Sequence, residues 1–93
     1  MKVVFRRPAL RDLDAIADYY EAYSASTALR VLADIDEIVE LLETNPKSGR
    51  EITPSIRQNV TTTYRYKVWS RIEGDVVAIL SIHRYQNRSA DDT

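Results

Sequence analysis

The 93 residues of this chain include no cysteine, one histidine, two glycines and three prolines. Without cysteine there is no disulfide framework and no thiolate metal site. A single histidine leaves no ligand set for a histidine-based zinc centre. No metal or other cofactor is expected. No apolar run reaches the length needed to cross a bilayer. The apolar stretch behind Met1 and Lys2 is too short for a secretion signal, which sets the expectation of a cytoplasmic protein. A glycine-rich phosphate loop, paired helical zinc histidines and a serine nucleophile elbow are all missing. The low glycine and proline content also argues against a disordered or collagen-like chain.

What is present suits one folded domain over residues 1–93. Hydrophobic residues make up 44% of the chain and charged residues 29%. A domain this small buries a modest share of its surface and often leans on a partner. The formal net charge of −1 conceals a strong asymmetry. Residues 1–11 carry +4, residues 12–43 carry −8, residues 44–90 carry +5 and the tail carries −2. An acidic middle between basic flanks can place a basic patch on one face of the fold.

The hydrophobic period changes near residue 45. Val3-Val4-Phe5 reads as a short strand. Pro8 suits the first turn of a helix, although Arg7 is a poor cap. Leu10, Leu13, Ile16, Ala17 and Tyr20 recur at helical spacing. Ser24–Thr27 interrupts the pattern and is placed to cap a second helix, whose stripe is Leu29, Leu32, Ile35, Ile38, Val39 and Leu42. Asn45-Pro46 stops that helix, because a residue before proline is pushed out of the helical region. Alternation then marks strands near residues 56–61 and 65–71. Glu73-Gly74-Asp75 marks a turn. The apolar run from Val76 to Ile82 reads as a central strand covered on both faces. The expected fold is α+β, in the order β-α-α-β-β-β: an antiparallel sheet packed against an N-terminal helical hairpin, with the first strand joining that sheet.

Three groups of side chains are candidates for function. The first is basic: Arg57, Arg65, Lys67, Arg71, Arg84 and Arg88. Alternation assigns Arg65, Lys67 and Arg71 to one side of a strand around Trp69. Cations around an aromatic ring can hold phosphates and stack a base. The same pattern is also what a solvated sheet face looks like, its long side chains covering apolar surface and pairing with the helix acids. The second candidate is His83 at the end of the last strand, either an acid–base group or a structural hydrogen-bonding residue. The third is Tyr19, Tyr20 and Tyr23. Tyr20 belongs to the core stripe, while Tyr19 and Tyr23 lie four residues apart, as interface anchors or simply packed on each other.

Five stretches carry a resemblance. They are Pro8–Tyr19, Asn45-Pro46-Lys47-Ser48-Gly49-Arg50, Ile56-Arg57, Tyr66–Asp75, and Ile82-His83-Arg84-Tyr85-Gln86-Asn87-Arg88. In this order, on these elements, residues 3–88 resemble the RelE/ParE toxin superfamily, and within it the ParE-like, plasmid-stabilisation branch. The resemblance implies the toxin of a bacterial type II toxin–antitoxin pair, held in a hetero-oligomer by a cognate antitoxin. In that family a partner helix lies across the toxin's helices and a further segment extends along its sheet. ParE-like members inhibit DNA gyrase by binding, whereas RelE-like members cut messenger RNA on the ribosome. Carried across, the nuclease set falls on Lys67, Arg84, Tyr85 and Arg88. Lys67 stands where that family has arginine and lacks its bidentate fork. Ser70 replaces a tyrosine, Arg7 a capping serine and Tyr85 the commoner arginine. Lys67 and Ser70 point away from nuclease chemistry, as does the acidic overall balance.

Overall fold

A computed structural model describes residues 1–84. The elements run β1 (Lys2–Phe5), α1 (Arg7–Glu21), α2 (Ala25–Thr44), β2 (Arg50–Glu51), β3 (Arg57–Val60), β4 (Lys67–Glu73) and β5 (Val76–His83). The five strands form one sheet in the order β1-β5-β4-β3-β2. Strands β2, β3, β4 and β5 pair antiparallel in succession. β1 pairs parallel to β5, with Val3 opposite Val77 and Phe5 opposite Ile79, so the sheet is mixed. The expected α+β sandwich holds, with one addition. Arg50 and Glu51 make a two-residue edge strand, too short to show an alternating pattern.

Local chemistry accounts for the helix ends. α1 starts at Arg6 without a side-chain cap and with Pro8 in its first turn. Ser24 caps α2: its Oγ accepts from the Thr27 amide at 3.0 Å, satisfying one of the orphan donors of the first turn. Asn45 closes α2, its amide bonded to Leu41 O at 2.7 Å just before Pro46. Between the helices and the sheet lies the main core. Ile16, Val31, Ile35, Ile38 and Leu42 pack there with Val68, Val77, Ile79 and Ile82. Each such aliphatic side chain contributes about 1.5–3 kcal/mol by leaving water. Two leucines expected in the helical stripes lie outside this core. Leu10 is 47% exposed and Leu29 67%. Ala9, Ala28 and Val31 take buried positions instead.

β5 is buried along nearly its whole length, as a central strand should be. It carries one irregularity. Trp69 pairs with Ser81 and Ser70 with Ile79, so Leu80 is an extra residue on β5. Such a bulge bends the strand and re-aims the side chains beyond it. β1 ends before this point. Past it, the carboxylate of Asp12 on α1 accepts from the Ile82 amide at 2.9 Å and from Ser81 Oγ at 3.4 Å. A helix side chain thus stands where a neighbouring strand would have been. Among the described residues no helix is long and apolar enough to cross a membrane.

Candidate functional site

The basic set divides between several places. Lys67 and Arg71 lie on the side of β4 that faces away from the helices, with Trp69 between them. There Trp69 packs with Ile56, Ala78 and Leu80 in a second, smaller core and is only 1% exposed. Its indole N–H donates to Gln58 Oε1 at 2.9 Å. Its ring meets His83 edge-on, with centroids 4.5 Å apart. The tryptophan between the cations is therefore a structural anchor, with no face open for stacking a base. Arg71 binds Glu73 through two nitrogens at 2.9 and 2.7 Å. Arg6 binds the other oxygen of the same carboxylate. These two arginines hold Glu73 below its ordinary value of 4.5.

Arg65 is not on the strand. It sits in the loop before β4 with φ of 61° and is exposed. Tight closure of that loop is the reason: the Thr61 amide donates to Tyr66 O and the Tyr66 amide to Thr61 Oγ1, each at 2.8 Å. Arg57 opposes Ser70, one position out of phase with Gln58 opposite Trp69. Alternation therefore puts Arg57 on the helix side of the sheet. His83 is buried, opposite Lys67, with Nδ1 2.9 Å from Ser81 Oγ. Arg84 donates twice to Tyr64 O, at 3.1 and 2.9 Å, and lies 5.1 Å from the centre of the Tyr66 ring. Tyr85 and Arg88 lie outside the described residues.

The tyrosines form one cluster at the far end of α1. Tyr20 is buried, 5.6 Å from the ring of Tyr64. Burial first, then its hydrogen bond with Tyr20, pushes the Tyr66 phenol well above its ordinary range. Tyr19 and Tyr23 are 57% and 71% exposed, and their hydroxyls are 3.3 Å apart. That hydrogen bond raises Tyr19 as well. The pair is thus both packed on itself and open to a partner.

One anchor of this region is legible only in retrospect. Asp34 is 5% exposed on α2, and its carboxylate accepts from the Thr63 and Tyr64 amides at 2.7–3.2 Å. Burial alone would raise its pKa. The bonds from Tyr64, Thr63, Thr61 and Thr62 outweigh this and hold it below 3.8. The signal in the sequence was a lone acid at position 34 within the apolar row Val31, Ile35, Ile38.

An apolar depression lies on the helical hairpin. A cavity of about 440 Å³ is lined by Phe5, Leu13, Leu32, Ile35 and Val39, with Asp36 among its walls. The exposed Leu10 precedes Leu13 by three residues and Leu29 precedes Leu32 by three, so helical spacing extends the apolar lining at both ends. Isolated exposed leucines are ordinary, but these two continue the apolar lining of a groove. Among the described residues no cluster of histidine, aspartate and glutamate could hold a metal.

Comparison with known proteins agrees with this architecture. Residues 3–88 match the family model described as the ParE toxin of the type II toxin–antitoxin system parDE. The chain is 37% identical over 79 residues to the suspected toxin Y4kP of Sinorhizobium fredii, covering 84% of this chain and 82% of that protein. It also superposes on a chain of the chromosomal ParDE toxin–antitoxin system of P. aeruginosa with a TM-score of 0.78 and 31% identity, covering 92% of this chain and 97% of the other. The helical hairpin, the mixed five-stranded sheet and these matches together place the chain in the ParE toxin family of type II toxin–antitoxin systems.

Proposed function

We propose that the chain is a growth-arresting toxin neutralised by a co-encoded antitoxin, and that the antitoxin seats an amphipathic helix in the groove between α1 and α2. The groove carries this reading. It is apolar, it lies on the helical hairpin, and Leu10 and Leu29 supply further apolar surface at helical spacing. Exposed Tyr19 and Tyr23 at the tip of the hairpin offer the rigid, amphipathic contacts on which interfaces rely. Co-expression with its cognate antitoxin tests it: the two proteins should co-purify, and Leu29→Glu should weaken the complex while leaving the toxin folded. Full-strength capture by the variant would remove the groove from the interface.

The action we propose is inhibition of DNA gyrase by binding. The arrangement of the single histidine favours binding over chemistry. His83 is buried between Trp69 and Ser81, where it supports the sheet and is poorly placed to take a proton from a substrate hydroxyl. Purified protein should block supercoiling by gyrase. Unaffected supercoiling at large excess, together with new mRNA ends on primer extension, would turn the reading toward a ribosome-dependent nuclease built on Lys67, Arg84, Tyr85 and Arg88.

A further inference from the structure

The segment from Asn45 to Arg50 does more than end a helix. Together with the turn before β3, it lines a cavity of about 360 Å³, where Pro46 and Lys47 meet Pro54, Ser55, Arg57 and Ser70. Arg57 and Ser70 reach this cavity from the helix side of the sheet, away from Lys67 and Trp69, and of the outer basic set only Arg71 touches it. Its walls are held in place. Ser48 Oγ donates to Asn59 Oδ1 and Asn59 Nδ2 donates to Ser48 O, both at 3.2 Å. Gly49 has φ of +102°, and a Cβ there would lie 2.7 Å from Gln58 O, so only glycine allows the segment to lie this close to β3. The two prolines restrict the backbone further.

The lining contains lysine and arginine but no aspartate or glutamate. Arg71 also contributes, with its charge already met by Glu73. Arg57 uses Nη1 on Gly49 O at 3.1 Å, and a guanidinium carries five donors. Lys47 is exposed and lines the same cavity, its ammonium carried on a long stem that can reach an anion there. Ser55 and Ser70 add hydroxyl groups. We infer that this cavity binds a phosphate group, free or carried on a nucleotide or nucleic acid. Two cations together with hydroxyl donors suit a tetrahedral oxyanion, whose several oxygens can each take a separate donor. The inference stands apart from the choice of cellular target.

The test is amide NMR of the full chain titrated separately with inorganic phosphate, adenosine monophosphate and a short single-stranded oligonucleotide. Shifts should concentrate on Lys47, Ser48, Ser55, Arg57 and Ser70 and shrink with added salt. Response to all three probes supports a general phosphate site. Response to phosphate and mononucleotide without the oligonucleotide supports a small-molecule source, and response to the oligonucleotide alone a nucleic-acid source. Arg57→Gln and Lys47→Gln should each weaken binding about tenfold. Lys47 is exposed, so its variant should fold even if loss of the Arg57–Gly49 bond disturbs the loop. Absence of shifts with every probe, shifts centred on Lys67 to Trp69, or binding unchanged in Lys47→Gln would overturn the assignment.

Discussion

The two sides of the sheet are built on different principles. On the helix side, aliphatic residues from two helices meet aliphatic residues from β4 and β5, and no single side chain dominates. On the opposite side the buried set is Ile56, Trp69, Ala78 and Leu80, centred on one large ring. There the tryptophan is held by directed contacts with Gln58 and His83. The helix side has a whole second layer to exclude water, so non-directional burial suffices. The outer side is closed mainly by its own strands and by the turn between β2 and β3. That turn is stiffened where the Ile52 amide donates to Ile56 O at 2.9 Å and Thr53 Oγ1 accepts from the Ile56 amide at 3.0 Å. A small cluster of this kind stays buried only if a large residue is locked in place.

The strongest test of this contrast is Trp69→Ala, set against Ile35→Ala on the helix side. Trp69→Ala should cost about 3–5 kcal/mol in urea denaturation. It should also shift the NMR signals of His83 and Gln58. Ile35→Ala should cost about 2–5 kcal/mol and leave those signals in place. If Ile35→Ala disturbs His83 as much as Trp69→Ala does, the two sides form one cooperative core and the contrast fails.

Asp34 is the polar counterpart of Trp69, a directed anchor on the helix side. Asp34→Asn should cost about 2 kcal/mol, since a charged acceptor of two backbone amides is replaced by a weaker one. The pH dependence follows from the same carboxylate and from Glu73. Both have folded-state pKa values below their ordinary ones. In acid the unfolded chain therefore binds more protons than the folded one. Their stabilisation is complete above the ordinary values and is lost as pH falls through the folded ones. Thermal stability should fall between about pH 5 and pH 2, and the double variant Asp34→Asn, Glu73→Gln should flatten that slope. An unchanged slope would show that other carboxylates govern acid unfolding.

Glu73→Gln alone is a smaller effect. It unties Arg6, at the start of α1, from Arg71 on the outer side of β4. Pairs this open to solvent are worth about 0–1 kcal/mol, so the melting temperature should move only slightly, and less in high salt. The smallest effect on folding belongs to Leu29→Ala, expected to stay within about 0.5 kcal/mol because the side chain is 67% exposed. A large loss of stability there would mean that the exposed row on α2 supports the fold and is not a binding surface.

Much of the architecture was legible from periodicity. The stripes ending at Tyr20 and Leu42, the Ser24 cap, the Asn45-Pro46 stop and the doubly covered strand from Val76 to Ile82 all stand where local pattern put them. Leu10 and Leu29 show the limit of that reasoning. Helical spacing defines a row of neighbours, but the depth of the second layer decides how far along the row burial extends. Arg65 fails for a related reason: alternation persists in the letters, while the Thr61–Tyr66 closure takes the backbone out of the strand.

The candidate site divides along the same line. Family resemblance supplied the toxin class, and the basic residues were countable from the chain alone. Only tertiary structure separated Arg57 from Lys67 and Arg71, buried Trp69 and His83, and joined residues from β1, α1 and α2 into one groove. Sequence by itself determined the two helices and the order of the main strands, because that choice depends on neighbours within a few positions, while the edge strand Arg50–Glu51 and the start of β4 came from pairing. Which side chains share a surface was decided by the register of β3 on β4 and by the bulge at Leu80, which depend on contacts far apart in the chain.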